Sequence, residues 1–296
     1  MILVTGGTGF VGQALVQHLI ELGYPVRTLL RPSRESPNLP KNVQVEVVIC
    51  SLNDQRSLRA AMRGVEFVIH LAGSERKGYP ESLQRVDIEG TRSIVEVAGS
   101  AGIQRFFYLS HLGADRASGY PLLKAKAIAE NYIVRSGLPY TIFRSALIYG
   151  PRDQFTIPVS RWIRSSPGIL FLPEDGCTLL QPLWIKDLIH CISIAIESSE
   201  MVNQMYSIGG GDYLSFKKVV LILRNAMKIR RVIFPIPFPL MRILSSLFDN
   251  FPNGIPLSAY WLDYLATDRT TDLNVLPRVF GLLPAQFNQQ IDYITR

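Results

Sequence analysis

Three cysteines, Cys50, Cys177 and Cys191, are too few and too irregularly spaced for a disulfide framework or a zinc site. No run of about 18 apolar residues occurs, so no membrane-spanning helix is predicted. Despite a net charge of +7, no basic run exceeds Lys228-Ile229-Arg230-Arg231. That scatter argues for solvated faces and a phosphate-bearing ligand, against nucleic acid, and leaves an anionic membrane surface open. Internal repeats and low-complexity tracts are also lacking. Met1-Ile2-Leu3-Val4 runs straight into a strand-like segment without the parts of a secretion signal, so a cytoplasmic location is expected.

With 47% hydrophobic and 19% charged residues, the 296-residue chain can bury one large core, or a main domain with a smaller companion. Short runs rich in Val, Ile and Phe recur at 2–5, 25–30, 43–48, 66–71, 105–110 and 139–144, with helix-like stretches between them. That alternation predicts an α/β fold, a doubly wound parallel sheet covered on both faces. Beyond Tyr149-Gly150-Pro151 the pattern turns irregular. The expected division is a nucleotide-binding domain over 1–150, with 181–210 returning to it. A smaller, mostly helical lobe then takes 151–180 and 211–296. Met205 to Ile208 reads as one more buried strand.

Between the first strand and an amphipathic helix from Phe10 lies Thr5-Gly6-Gly7-Thr8-Gly9-Phe10-Val11-Gly12. Glycine spacing alone is weak evidence, but strand, loop and helix in this order form a dinucleotide fingerprint. Glycines permit a tight turn and close approach of a pyrophosphate, and the helix start offers free N–H groups and partial positive charge. The second strand ends at Leu29-Leu30-Arg31, nineteen residues after Gly12, and Arg34 follows, with Glu35 further into the loop. Arginine there accommodates a 2′-phosphate, so NADP(H) is preferred over NAD(H). Leu71-Ala72-Gly73, at the end of the fourth strand, is small enough to let a cofactor cross the sheet edge.

Further segments complete a pattern: Asp87-Ile88-Glu89-Gly90-Thr91, Tyr120-Pro121-Leu122-Leu123-Lys124, and Arg144 to Pro151 followed by Gln181 to Asp187. With Thr5 to Gly12 and Leu71 to Gly73 they resemble the short-chain dehydrogenase/reductase superfamily, in its extended and atypical, epimerase/dehydratase-like branch. Within that branch the chain resembles the group around the NADPH-binding accessory subunit of respiratory complex I. The resemblance covers about residues 1–210 and implies a cofactor site of Gly6, Thr8, Gly9, Phe10, Val11, Arg31, Leu71, Ala72, Gly73, Ser110 and Lys124. It also implies that Tyr120 is the catalytic acid/base. Lys124, four residues on and so on the same helix face, lowers its pKa and binds the nicotinamide ribose. Pro121 fits the first turn of a helix running to about Arg135.

Two departures matter. Leu112 stands where such dehydrogenases carry a substrate-polarising serine or threonine, and Asp87 stands for a relay asparagine. Ser110 and His111 could each donate a hydrogen bond to a carbonyl oxygen, but His111 is not assigned as a base. His18, His70 and His190 read as packed or surface residues. The expectations are therefore an oxidoreductase passing hydride between NADP(H) and a carbonyl or alcohol on a small apolar substrate, or a non-catalytic NADPH-binding accessory or assembly factor of a membrane-associated respiratory or photosynthetic complex. An epimerase would also want the missing hydroxyl. The apolar, proline-broken segment Arg230 to Pro256 is open to packing, to lining a pocket, or to peripheral membrane or complex docking. Within it, Leu240, Ile243, Leu244 and Leu247 form one helical stripe.

Overall fold

A computed structural model describes residues 1–32, 39, 44–74, 82–248 and 259–295, with the side chains of 244–248 and 259 excepted. Arg34, Glu35 and the end of the apolar segment from 249 to 256 lie outside the described residues, as do the side chains of Leu244 and Leu247. The chain divides into two compact units. One is Met1–Ser145 with Leu188–Ser207, and the other is Ala146–Asp187 with Ile208–Arg296.

The first unit begins β1 (Ile2–Thr5), α1 (Phe10–Glu21), β2 (Val26–Leu30), β3 (Glu46–Ile49), α2 (Gln55–Ala61) and β4 (Phe67–His70). A π-helical segment, Leu83–Gly90, continues into α3 (Thr91–Ala101), and β5 (Arg105–His111), α4 (Pro121–Arg135) and β6 (Tyr140–Ser145) follow. The strand Gln204–Ile208, here β7, completes a seven-stranded sheet in the order β7-β6-β5-β4-β1-β2-β3. Neighbours from β3 to β6 pair in parallel. Asn203 N–H to Tyr140 O (2.6 Å) and Ala146 N–H to Ile208 O (2.8 Å) set β7 parallel to β6. This is the doubly wound parallel sheet expected from the alternating pattern. The order reverses between β1 and β4, where ligands of such sheets bind beyond the strands' carboxyl ends. β7 is an edge strand with Met205 exposed, rather than a buried one.

Near-continuous apolar strands are buried because helices cover both sheet faces. On one face Leu3, Val68, Phe106 and Ile142 pack with Leu58 of α2, Ile94 of α3 and Ile133 of α4. α1 buries Leu15, Val16 and Leu19, and its His18 meets His190 edge-on at 5.2 Å.

Among its described residues the second unit has the helices Thr156–Ser165, Phe216–Ala226, Phe238–Phe248, Ala259–Leu265 and Val275–Phe280, and three two-stranded ribbons. Its order depends on polar side chains that satisfy loop backbone. Asp153 accepts from the N–H groups of Gly150, Phe155 and Thr156 and from the Thr156 and Tyr293 hydroxyls. Gln181 donates to Gly210 O and accepts from Thr271 N–H. On the helix from Phe238, two members of the stripe, Leu240 and Ile243, face solvent. Met241 faces inward on Leu262. Among the described residues, no helix is long and apolar enough to cross a membrane.

Two glycines separate packing from helix propensity. A Cβ on Gly12 would lie 2.1 Å from Gly6 O, whereas one on Gly99, exposed in α3, meets nothing within 4 Å. Gly12→Ala is expected to lower the melting temperature by roughly 5 °C or more. Gly99→Ala is expected to stabilise by about 0.5–1 kcal/mol. Thermal unfolding of both variants checks the contrast.

Candidate functional site

The glycine loop sits at the carboxyl end of β1, and each glycine has a different task. Gly6 has φ +75°, and a Cβ there would press on the Leu71–Ala72 backbone at 2.9 Å. On Gly7 it would meet Thr28 Oγ1 at 2.2 Å, and on Gly12 the loop backbone itself. Those three let the loop, β2, β4 and α1 pack together. Gly9 differs: its φ of −76° suits any residue, and its Cβ would touch only Gly6 O, at 3.2 Å. Its missing side chain keeps clear the space before α1. There the amides of Phe10, Val11 and Gly12 precede the first intrahelical bond, Gln13 N–H to Gly9 O, and no side chain caps them. Gln13 Nε2 donates to Thr8 O at 2.9 Å and fixes the loop. Thr8, Gly9, Phe10 and Val11 are half-buried, so the anion-binding helix start remains accessible.

A buried hydrogen-bond chain holds the neighbouring edge. Asp87 O can only accept, so the Thr91 hydroxyl donates to it at 2.6 Å. Thr91 Oγ1 then accepts from His70 Nε2–H at 3.0 Å, which leaves His70 Nδ1 bare to accept from the Thr5 hydroxyl at 2.7 Å. Thr5 Oγ1 in turn accepts from Ala72 N–H at 3.3 Å. The Asp87 carboxylate accepts from the Ser74 N–H (2.9 Å) and hydroxyl (2.6 Å), and its other oxygen lies 3.3 Å from Lys126 Nζ. Leu71-Ala72-Gly73-Ser74 is thereby tied at both ends of one network. Full burial, then the Lys126 charge, lower the His70 pKa to about 3, so the ring is neutral. Its ring stacks on Tyr108 at 5.7 Å, and Lys126 Nζ lies 5.3 Å from the same Tyr108 ring.

The other expected residues are spread along these strand ends. Arg31 is exposed directly after β2. Ser110 is fully buried near the end of β5, and its hydroxyl has no hydrogen-bond partner among the described residues. Leu112, in the hydroxyl's expected place, is buried at 7% exposure. Tyr120 is half-buried and caps α4, while Lys124 is exposed. The lysine that α4 buries is Lys126, at 1% exposure. Spacing drew attention to Lys124 and missed Lys126. A signal existed, because Leu122, Lys126, Glu130 and Ile133 follow helical periodicity on the buried face. Glu130 is paired with Arg144 through two bonds of 3.0 and 2.6 Å.

The residues fit a dinucleotide: a side-chain-free approach at Gly9, uncapped amides behind it, and a fixed small-residue edge beside it. Since His70 is neutral when folded but titrates near 6.5 when unfolded, its stabilisation is complete above pH 6.5 and is lost as pH falls toward 3. This group alone is expected to remove about 2 kcal/mol between pH 7 and pH 5. Denaturant unfolding of wild type and His70→Gln checks this, the variant losing that part of the slope.

Residues 6–156 match the NAD(P)H-binding family model. Subunit 9 of the NADH dehydrogenase [ubiquinone] 1 alpha subcomplex, mitochondrial, from Arabidopsis thaliana is 27% identical, over 96% of this chain and 76% of that protein. Photosystem II assembly factor Ycf39 from Trieres chinensis is 26% identical, over 87% of this chain and 78% of its own length. UDP-glucose 4-epimerase from Thermus thermophilus, solved with NAD, shares the fold at a TM-score of 0.75 and 21% identity, covering 99% of this chain and 97% of that one. The chain belongs to the NAD(P)H-binding family.

Proposed function

We propose that this protein binds NADP(H) as a ligand that orders it, and serves without hydride transfer as an accessory or assembly factor at a membrane-associated complex. The observation that carries the reading is Leu112. A buried leucine cannot donate a hydrogen bond to a substrate oxygen, so the charge developing in a hydride transfer lacks its usual donor. The surroundings support it: Lys124 is exposed, and the lysine that α4 buries, Lys126, pairs with Asp87. Two relatives that align over most of this chain carry the names of a respiratory-complex subunit and a photosystem assembly factor.

In this reading the pyrophosphate lies on the amides of Phe10 and Val11, and Gly6, Thr8 and Gly9 shape the loop around it. Leu71, Ala72, Gly73 and Ser110 border the remainder along the sheet edge. Arg31 takes the 2′-phosphate, which favours NADP(H) over NAD(H). When bound, the nucleotide can supply hydride chemistry, and it stabilises the fold in proportion to its affinity. A second reading keeps Tyr120 as acid/base and Lys124 as its partner in an oxidoreductase acting on an apolar carbonyl or alcohol. The half-buried position of Tyr120 at the mouth of α4 favours it.

Gly9→Ala is expected to melt close to wild type yet bind NADPH at least about tenfold more weakly. Arg31→Ala is expected to weaken NADPH about tenfold or more and NADH little, read by fluorescence titration. Wild type and Tyr120→Phe are expected to show the same absence of NADPH oxidation across a panel of carbonyl substrates. Turnover in wild type that Tyr120→Phe abolishes would establish the second reading.

A further inference from the structure

One ribbon of the second unit pairs Ile169–Pro173 in parallel with Val232–Ile236. Its register sets Val232 opposite Ile169 and Phe234 opposite Phe171, so these four side chains share one face. The alternate residues Leu170 and Leu172 are fully buried, whereas Ile169, Phe171, Val232 and Phe234 are 47%, 43%, 67% and 56% exposed. The solvent face of such a ribbon ordinarily carries polar residues. Here it carries two aromatic rings, 6.3 Å apart and edge-on, and two β-branched residues.

Cations adjoin that face. The helix Phe216–Ala226 ends in a left-handed residue, Lys228 (φ +56°), and Arg230-Arg231 leads directly into Val232. A groove of about 630 Å³ is lined by Gly168, Arg224, Lys228, Arg230, Arg231 and Val232. Arg224 donates to Arg231 O, and Arg231 to Ile163 O and Arg164 O, so the cationic segment is held against the ribbon's entry. None of Arg224, Lys228, Arg230 and Arg231 forms an ion pair with a carboxylate among the described residues. An apolar face bordered by cations that pair with no carboxylate among the described residues is complementary to a bilayer surface bearing anionic headgroups.

We propose that this ribbon face and its cationic rim dock the protein on the anionic lipid surface of a membrane. Ile169, Phe171, Val232 and Phe234 enter the headgroup layer, and Lys228 and Arg230 meet the lipid phosphates, with Arg224 and Arg231 holding the segment in place. The proposal deepens the reading of a protein that works at a membrane-associated complex, and rests on that reading for its setting only.

The test is co-sedimentation of the full chain, with NADPH present, with vesicles of phosphatidylcholine alone or with about one-third phosphatidylglycerol. Wild type is expected to sediment with the anionic vesicles and not with the neutral ones. Val232→Ser with Phe234→Ser, and separately Lys228→Glu with Arg230→Glu, are each expected to lower the partition coefficient at least about tenfold. NADPH affinity is expected to stay unchanged in both, which also shows that they fold. Absence of wild-type binding, or variants that bind like wild type, overturns the proposal. So does a wild-type dimer that Phe234→Ser dissociates, because the face is then a self-interface. Nucleotide binding is followed in the same samples. Its failure with vesicle binding intact overturns the nucleotide reading and leaves the docking surface supported.

Discussion

A neutral, fully buried histidine fixes the edge on which the dinucleotide site depends. His70 joins Thr5 at the end of β1 to Thr91 at the start of α3, and through them Ala72 N–H and Asp87 O become the two ends of one directed chain. The direction follows from chemistry, since a carbonyl at one end only accepts and an amide at the other only donates. Only a ring with one donor and one acceptor closes the chain. Protonation would leave two donors facing Thr5 and Thr91 and add a charge in full burial near Lys126. Breaking any member leaves a buried polar group unsatisfied, which costs about 1–3 kcal/mol.

The glycine loop depends on that edge, because Gly6 packs on the Leu71–Ala72 backbone that the network positions. Protein atoms occupy the space that side chains on Gly6, Gly7 and Gly12 would need, whereas a Cβ on Gly9 would meet only Gly6 O. Asp87, in a π-helical segment, lies 3.3 Å from Lys126, and the buried Leu112 beyond the end of β5 carries no side-chain donor.

Much of this was legible in the sequence. Apolar runs and glycine context gave the strands, the doubly wound order and the loop, because parallel strands buried on both faces leave an unmistakable composition. The start of α4 at Pro121 follows from proline's fit to the first helical turn. His70 was not legible as an organiser, since its partners lie 65 and 21 residues away and a histidine in an apolar strand carries no sign of them. Lys126 was hidden by the more familiar spacing of Tyr120 and Lys124, although periodicity marked it. In the second unit, Met241 rather than Leu240 turned inward because Leu262, from a later helix, supplies its partner. The ribbon of Ile169–Pro173 and Val232–Ile236 joins segments some sixty residues apart, which no local pattern reveals.

Amide hydrogen exchange, resolved residue by residue with and without NADPH, tests most directly that a pre-formed edge receives the nucleotide. The Ala72 and Ser74 amides are expected to be protected already without nucleotide, and those of Phe10 and Val11 to become protected only when NADPH binds. Rapid exchange at Ala72 and Ser74 without nucleotide, or unchanged exchange at Phe10 and Val11 on adding it, would contradict that claim.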